Sequence, residues 1–131
     1  MEAKFISTEG EYLEAVIEVN GKELHVMDEF STEELSSGDT INLEIVPGLF
    51  YENEEWESMF SSNPNAKKEL EHQSSWCYRA YGIITSIKPV MVDVGFFVIE
   101  APIQLQSNDE RLVGESVAFT INRLDAWPAN N

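Results

Sequence analysis

The chain has few basic side chains, one cysteine, two histidines and no long apolar run, and each scarcity removes a class of function. Eight Lys and Arg stand against 24 Asp and Glu among 131 residues, a formal net charge of −16. A protein that holds phosphates through its overall field is basic, so general nucleic-acid binding and attraction to anionic lipid are both disfavoured. A single cysteine, Cys77, cannot close an internal disulfide. The richest apolar stretch, 89–99, is broken by Asp93 and Gly95, well short of the roughly 18 residues of a membrane-spanning helix. The start, Met1-Glu2-Ala3-Lys4-Phe5, has neither the basic nor the apolar segment of a signal peptide, so a cytoplasmic location is expected. The glycines are scattered singly, and no phosphate-cradling loop is formed.

What the chain does contain favours a folded domain. Apolar residues make up 43% and aromatics 11%, too much for an acidic disordered tail, and the length fits a single domain. The charge is uneven along it. Residues 1–60 hold 16 acidic and two basic side chains, a net of −14, whereas residues 61–131 hold eight and six, a net of −2. An acidic surface of this kind serves solubility, or it steers a basic partner.

Two segments resemble each other. Residues 31–45 and 107–121 both run from a serine through an acidic pair and a Gly-acid turn into an alternating stretch. Upstream, Ile17-Glu18-Val19-Asn20-Gly21 echoes Val92-Asp93-Val94-Gly95. Within the first segment Leu13, Ala15, Ile17 and Val19 alternate with polar positions, the period of a half-buried strand. Asn20-Gly21 then supplies the two residues that a tight type I′ hairpin needs. Strands are also expected at 41–45, 83–87, 90–99 and 117–121, with Pro89 and Pro102 at strand ends or edges. The expected fold is mainly β: a small barrel or sandwich built from two similar β units, about 3–50 and 78–124, in one domain. Between them, about 52–75, a helical insertion is expected. One helix would cover 53–60, and a second would be capped by Asn63-Pro64 and run toward His72. The strand pattern is similar to that of oligonucleotide-binding-type and other small barrels in architecture only.

Chemistry is harder to find. Cys77 stands between Trp76 and Tyr78 with Arg79 beside it, a setting that suits a buried small hydrophobe better than an activated thiol. No spacing of Cys, His or acidic residues matches a metal site. The dense run Glu52, Glu54, Glu55, Glu57 reads as a solvated helix face. The pairs Glu33/Glu34 and Asp109/Glu110 lie before turns, where acids are ordinary. No enzyme, no cofactor and no metal are expected.

Two features point to binding instead. With Asn20-Gly21 as the hairpin loop, the face opposite the core carries Glu14, Val16, Glu18, Glu23, His25 and Met27. Glu18 then lies directly opposite Glu23, a like-charge pair that costs up to ~1 kcal/mol. Exposed Val16 and Met27 would add an apolar centre to that acidic frame. The second feature is the aromatic set of the insertion, with Trp56 flanked by Glu54, Glu55 and Glu57, which suits either an interface anchor or a plug over a barrel end. These ten residues are the candidate partner-binding set. The expected function is a non-enzymatic inhibitor, of the immunity or antitoxin type, of a basic protein such as a nuclease. The alternative is a small-barrel ligand-binding or assembly module, homodimeric through an exposed strand edge.

Overall fold

Alternation and turn chemistry decide the first hairpin. Ala15, Ile17 and Val19 on β2 (Glu14–Val19) and Leu24 and Val26 on β3 (Lys22–Asp28) point inward and are buried. Between them Asn20 and Gly21 take φ of 50° and 80°, the left-handed pair that the two-residue loop requires. The computed structural model describes residues 1–9, 14–28 and 36–129. The acidic segment 31–35, including Glu33 and Glu34, lies outside the described residues, as do Tyr12 and Leu13. Among the described residues the chain is mainly β. The remaining strands are β1 (Glu2–Glu9), β4 (Thr40–Phe50), β5 (Glu69–Ser74), β6 (Cys77–Ser86), β7 (Met91–Asp93), β8 (Val98–Glu100) and β9 (Ser116–Pro128), with α1 at Trp56–Ser61. No helix of the described residues is long and apolar enough to cross a membrane.

The strands form one sheet in the order β3-β2-β1-β4-β9-β6-β7-β8, with β5 added on β6. Neighbours are antiparallel except where Met27 and Asp28 of β3 run parallel to Asp125 and Ala126 of β9. That pairing closes β3, β2, β1, β4 and β9 into a ring of five strands. The first half of the order, β3-β2-β1-β4, corresponds position for position with the second, β8-β7-β6-β9. Strand lengths differ, and β8 has no counterpart of the β3–β9 closure. The core is continuous across both halves, from Ile17, Val26 and Leu43 through Phe119, Ile121 and Leu124 to Val92, Ile99 and Leu105.

Two departures from the sequence reading have physical causes. The second helix is not formed. Asn63 is buried, and its amide instead closes the 63–67 loop: Nδ2 donates to the carbonyls of Lys67 and Val117, and Oδ1 accepts from the Lys67 N–H. Residues 69–74 then become β5, which pairs with β6. The stretch 90–99 is two short strands rather than one, because Gly95 turns at φ 108° while its N–H donates to the Asp93 carboxylate. Asp109 accepts from the Arg111 N–H, and residues Glu110–Leu112 form a 3₁₀ turn ahead of β9.

Candidate functional site

The register of the hairpin is the expected one: Glu14 faces Met27, Val16 faces His25, and Glu18 faces Glu23. All six candidate residues therefore share the face turned away from the core. That face is not open throughout. Val16 and Met27, expected to be exposed, are half-buried, as are Glu14, Glu18 and His25. One cover is β5, whose His72 ring stacks on the His25 ring at 4.5 Å between centroids, 16° from parallel. His72 is held by Tyr78, which it meets in register across β5 and β6.

This contact joins the chain's two histidines in one small polar cluster. His25 Nδ1 lies 2.9 Å from Glu14 Oε1, and a carboxylate oxygen only accepts, so that nitrogen carries the hydrogen. His72 Nε2 lies 2.6 Å from the Ser75 carbonyl and donates by the same argument. Beneath them the His25 backbone N–H donates to the Tyr78 hydroxyl at 2.7 Å. Burial pushes the Tyr78 phenol up to about 12, the hydrogen bond from His25 acting against it and the Glu14 charge with it. Cys77, expected to be buried, is half-buried at the turn that carries this cluster.

The second group of candidate residues divides. Glu54 is drawn inward: its carboxylate pairs with the Arg79 guanidinium and accepts the Thr120 backbone N–H at 3.0 Å. Its side chain keeps 10% of its exposure, so it braces α1 against β6 and β9 and offers little to a partner. Glu55 and Glu57 are exposed. Trp56, 48% exposed, packs against Phe60 at 4.5 Å while Met59 anchors the helix in the core. No hydrogen bond, ion pair or ring contact among the described residues connects this group with the hairpin face. They are two patches. Of the nearby aromatics Tyr78 is buried, Phe50 meets Phe119 edge-on, and Tyr51 stays exposed.

A third surface was not among the sequence candidates. A groove of about 660 Å³ runs between β4 and the β7–β8 hairpin, over Ile45, Pro47, Met91 and Val98. It meets a second depression of about 640 Å³, beside Leu49, Ile103 and Gln104, at Phe50 and Glu100. The available signal was Pro47, because proline inside a strand is confined to edges and bulges. The β4–β9 register indeed shifts between Pro47 and Leu49. Among the described residues no cluster of three or more His, Cys, Asp or Glu is placed to hold a metal ion. Comparisons with protein-family models, with curated proteins and with solved structures give no match.

Proposed function

We propose that the chain is a non-enzymatic acidic binding protein that inhibits a basic protein partner, a nuclease being the type in view. One observation carries this reading. In the second half, residues 61–131, four ion pairs, Lys67 with Glu69, Lys68 with Asp93, Arg111 with Asp109 and Arg123 with Asp125, engage four of the eight acidic side chains, and the net charge there is −2. In the first half Glu2, Glu18, Glu23, Glu44, Glu52, Glu55 and Glu57 enter no ion pair among the described residues, and the field they create is left to solvent or to a partner. Glu18 and Glu23 of the hairpin, and Glu55 and Glu57 beside exposed Trp56, would occupy or cover a phosphate-binding surface on the partner. Glu14, Val16, His25 and Met27 would form the half-buried floor of the hairpin patch, with Glu54 holding α1 in place.

The finer fold reading, a small barrel from two duplicated units, is supported by the five-strand ring and by the matching order of the two halves. The unpaired edge of β8 favours the alternative, an assembly module that dimerises edge to edge. A cytoplasmic setting goes with a lone thiol that has no disulfide partner. The test is affinity capture from the source cell, followed by an enzymatic assay of whatever is captured. The expected outcome is a basic nuclease whose activity falls stoichiometrically on adding the chain, with an association rate that drops steeply as salt rises. Recovery of self-association alone, or of partners with no basic surface, would overturn the reading.

A further inference from the structure

The two halves of the sheet differ at one junction. In the first, β3 closes onto β9; at the corresponding place in the second, β8 and β4 stand beside each other without pairing, and the groove lies between them. Both facing edges have free backbone groups. On β4, Leu43 exchanges hydrogen bonds with Met1, and the two-residue alternation turns the N–H and C=O of Ile45 and the C=O of Pro47 to the same side, beyond the reach of β1. On β8, the Ala101 N–H and the Phe97 carbonyl bond toward β7, so those of Val98 and Glu100 point outward. A bare edge of this kind is a template for another strand.

The side chains around it state what that strand should look like. Val98 is 46% exposed and Ile103 85% exposed, with Leu49 and Met1 also open at the rim, so the walls are apolar. The charged side chains lining the two depressions are Glu44, Glu52 and Glu100, with no Lys, Arg or His among them, and the Met1 α-ammonium at the rim donates to the Leu43 carbonyl. An acidic or uncharged second copy would leave these carboxylates unmatched, and this chain is itself strongly acidic.

We infer that the groove takes an extended segment of a basic partner as an added strand along the free edge of β8, with apolar side chains turned into the groove and Lys or Arg side chains meeting Glu44, Glu52 and Glu100. This rests on the proposed basic partner and adds the place and mode of contact. Main-chain bonds would supply the affinity, and the alternation of side chains the selectivity.

The probe is a capped hexapeptide of alternating Lys and Val, compared with its Glu–Val counterpart and with a backbone N-methylated Lys–Val peptide that keeps the side chains and charge but has no main-chain donors. Titration followed by amide NMR and hydrogen exchange is expected to shift residues 44–50 and 98–103 and to slow exchange at Val98 and Glu100. The N-methylated and Glu–Val peptides should bind at least tenfold more weakly. Glu44→Lys with Glu100→Lys should abolish the response, while Glu110→Lys with Glu115→Lys, the same change in charge elsewhere, should not. Equal binding of the N-methylated peptide, or no binding of the Lys–Val peptide, overturns the inference. Shifts confined to β2 and β3 overturn it too while leaving the basic-partner reading intact. Sedimentation showing a dimer with the Val98 and Glu100 amides already protected overturns it in favour of a second copy.

Discussion

Tyr78 ties three strands together through its hydroxyl and its ring. It comes from β6, accepts the His25 backbone N–H of β3, and supports the His72 ring of β5. Replacing it by Phe keeps the ring and removes the acceptor, leaving a donor without a partner at a cost of ~1–3 kcal/mol. Urea unfolding at pH 7 measures that loss. The phenol also sets a pH dependence. Its folded pKa, about 12, lies above the ordinary tyrosine value of 10.0, so the neutral form is the one the fold stabilises. That stability is fully present below pH 10 and is lost as pH rises from about 10 through about 12, amounting to about 3 kcal/mol for two units. Tyr78→Phe should lack this alkaline decline, so the two stability curves should converge above pH 10. Glu54 makes the opposite point. A sequence reading groups it with Glu55 and Glu57, but its carboxylate holds Arg79 and the Thr120 N–H. Glu54→Gln should cost ~1–3 kcal/mol in the same assay, whereas Glu55→Gln with Glu57→Gln should leave stability within about 0.5 kcal/mol and weaken partner binding.

Elements set by local rules were legible in advance, and those set by distant contacts were not. The β2–β3 register follows from Asn20-Gly21 and the alternation around it, since a slip of one residue would turn Ile17 and Val26 outward. That is why the outward face, Glu14 to Met27, could be assembled from sequence. Its covering could not, because His72 lies 47 residues from its stacking partner His25. Asn63 shows the same limit. Followed by Pro64 it reads as a helix cap, yet its amide is claimed by the carbonyl of Val117, a strand 54 residues away. Asn63→Ala should therefore unfasten the start of β5 rather than shorten a helix. The expected cost is ~2–4 kcal/mol, from a buried amide lost and carbonyls left unpaired, read as a lower urea midpoint with unchanged helical circular dichroism. Gly82 is fixed by close approach: a Cβ there would run into the Asp93 carbonyl and Val92. Gly82→Ala should cost ~1–3 kcal/mol by overpacking against backbone that cannot move aside.

At the scale of the molecule, the same asymmetry shows in closure and in charge. The first half is closed by β3–β9 and carries most of the negative excess; the second is open along β8 and is near charge balance, with a net of −2 and four ion pairs. Concentrating carboxylates on a compact body has a cost in the absence of a partner, because they repel one another more when folded than in the expanded chain. Salt should relieve it. Raising ionic strength from about 0.01 M to about 0.15 M shortens the screening length from roughly 30 Å to about 8 Å, from a distance comparable with the whole domain to one spanning neighbouring side chains only. The melting temperature of the free protein should therefore rise over that range. The exposed ion pairs of the second half, Lys67–Glu69, Lys68–Asp93 and Arg111–Asp109, work in the other direction, but such pairs are each worth less than about 1 kcal/mol, and the net charge of −16 outweighs them. Lysine substitutions at Glu18, Glu23, Glu55 and Glu57 should flatten the rise, and differential scanning calorimetry in sodium chloride measures it. A melting temperature that falls with salt would mean that internal ion pairs, rather than uncompensated carboxylates, dominate the field, and the main support for a basic partner would go with it.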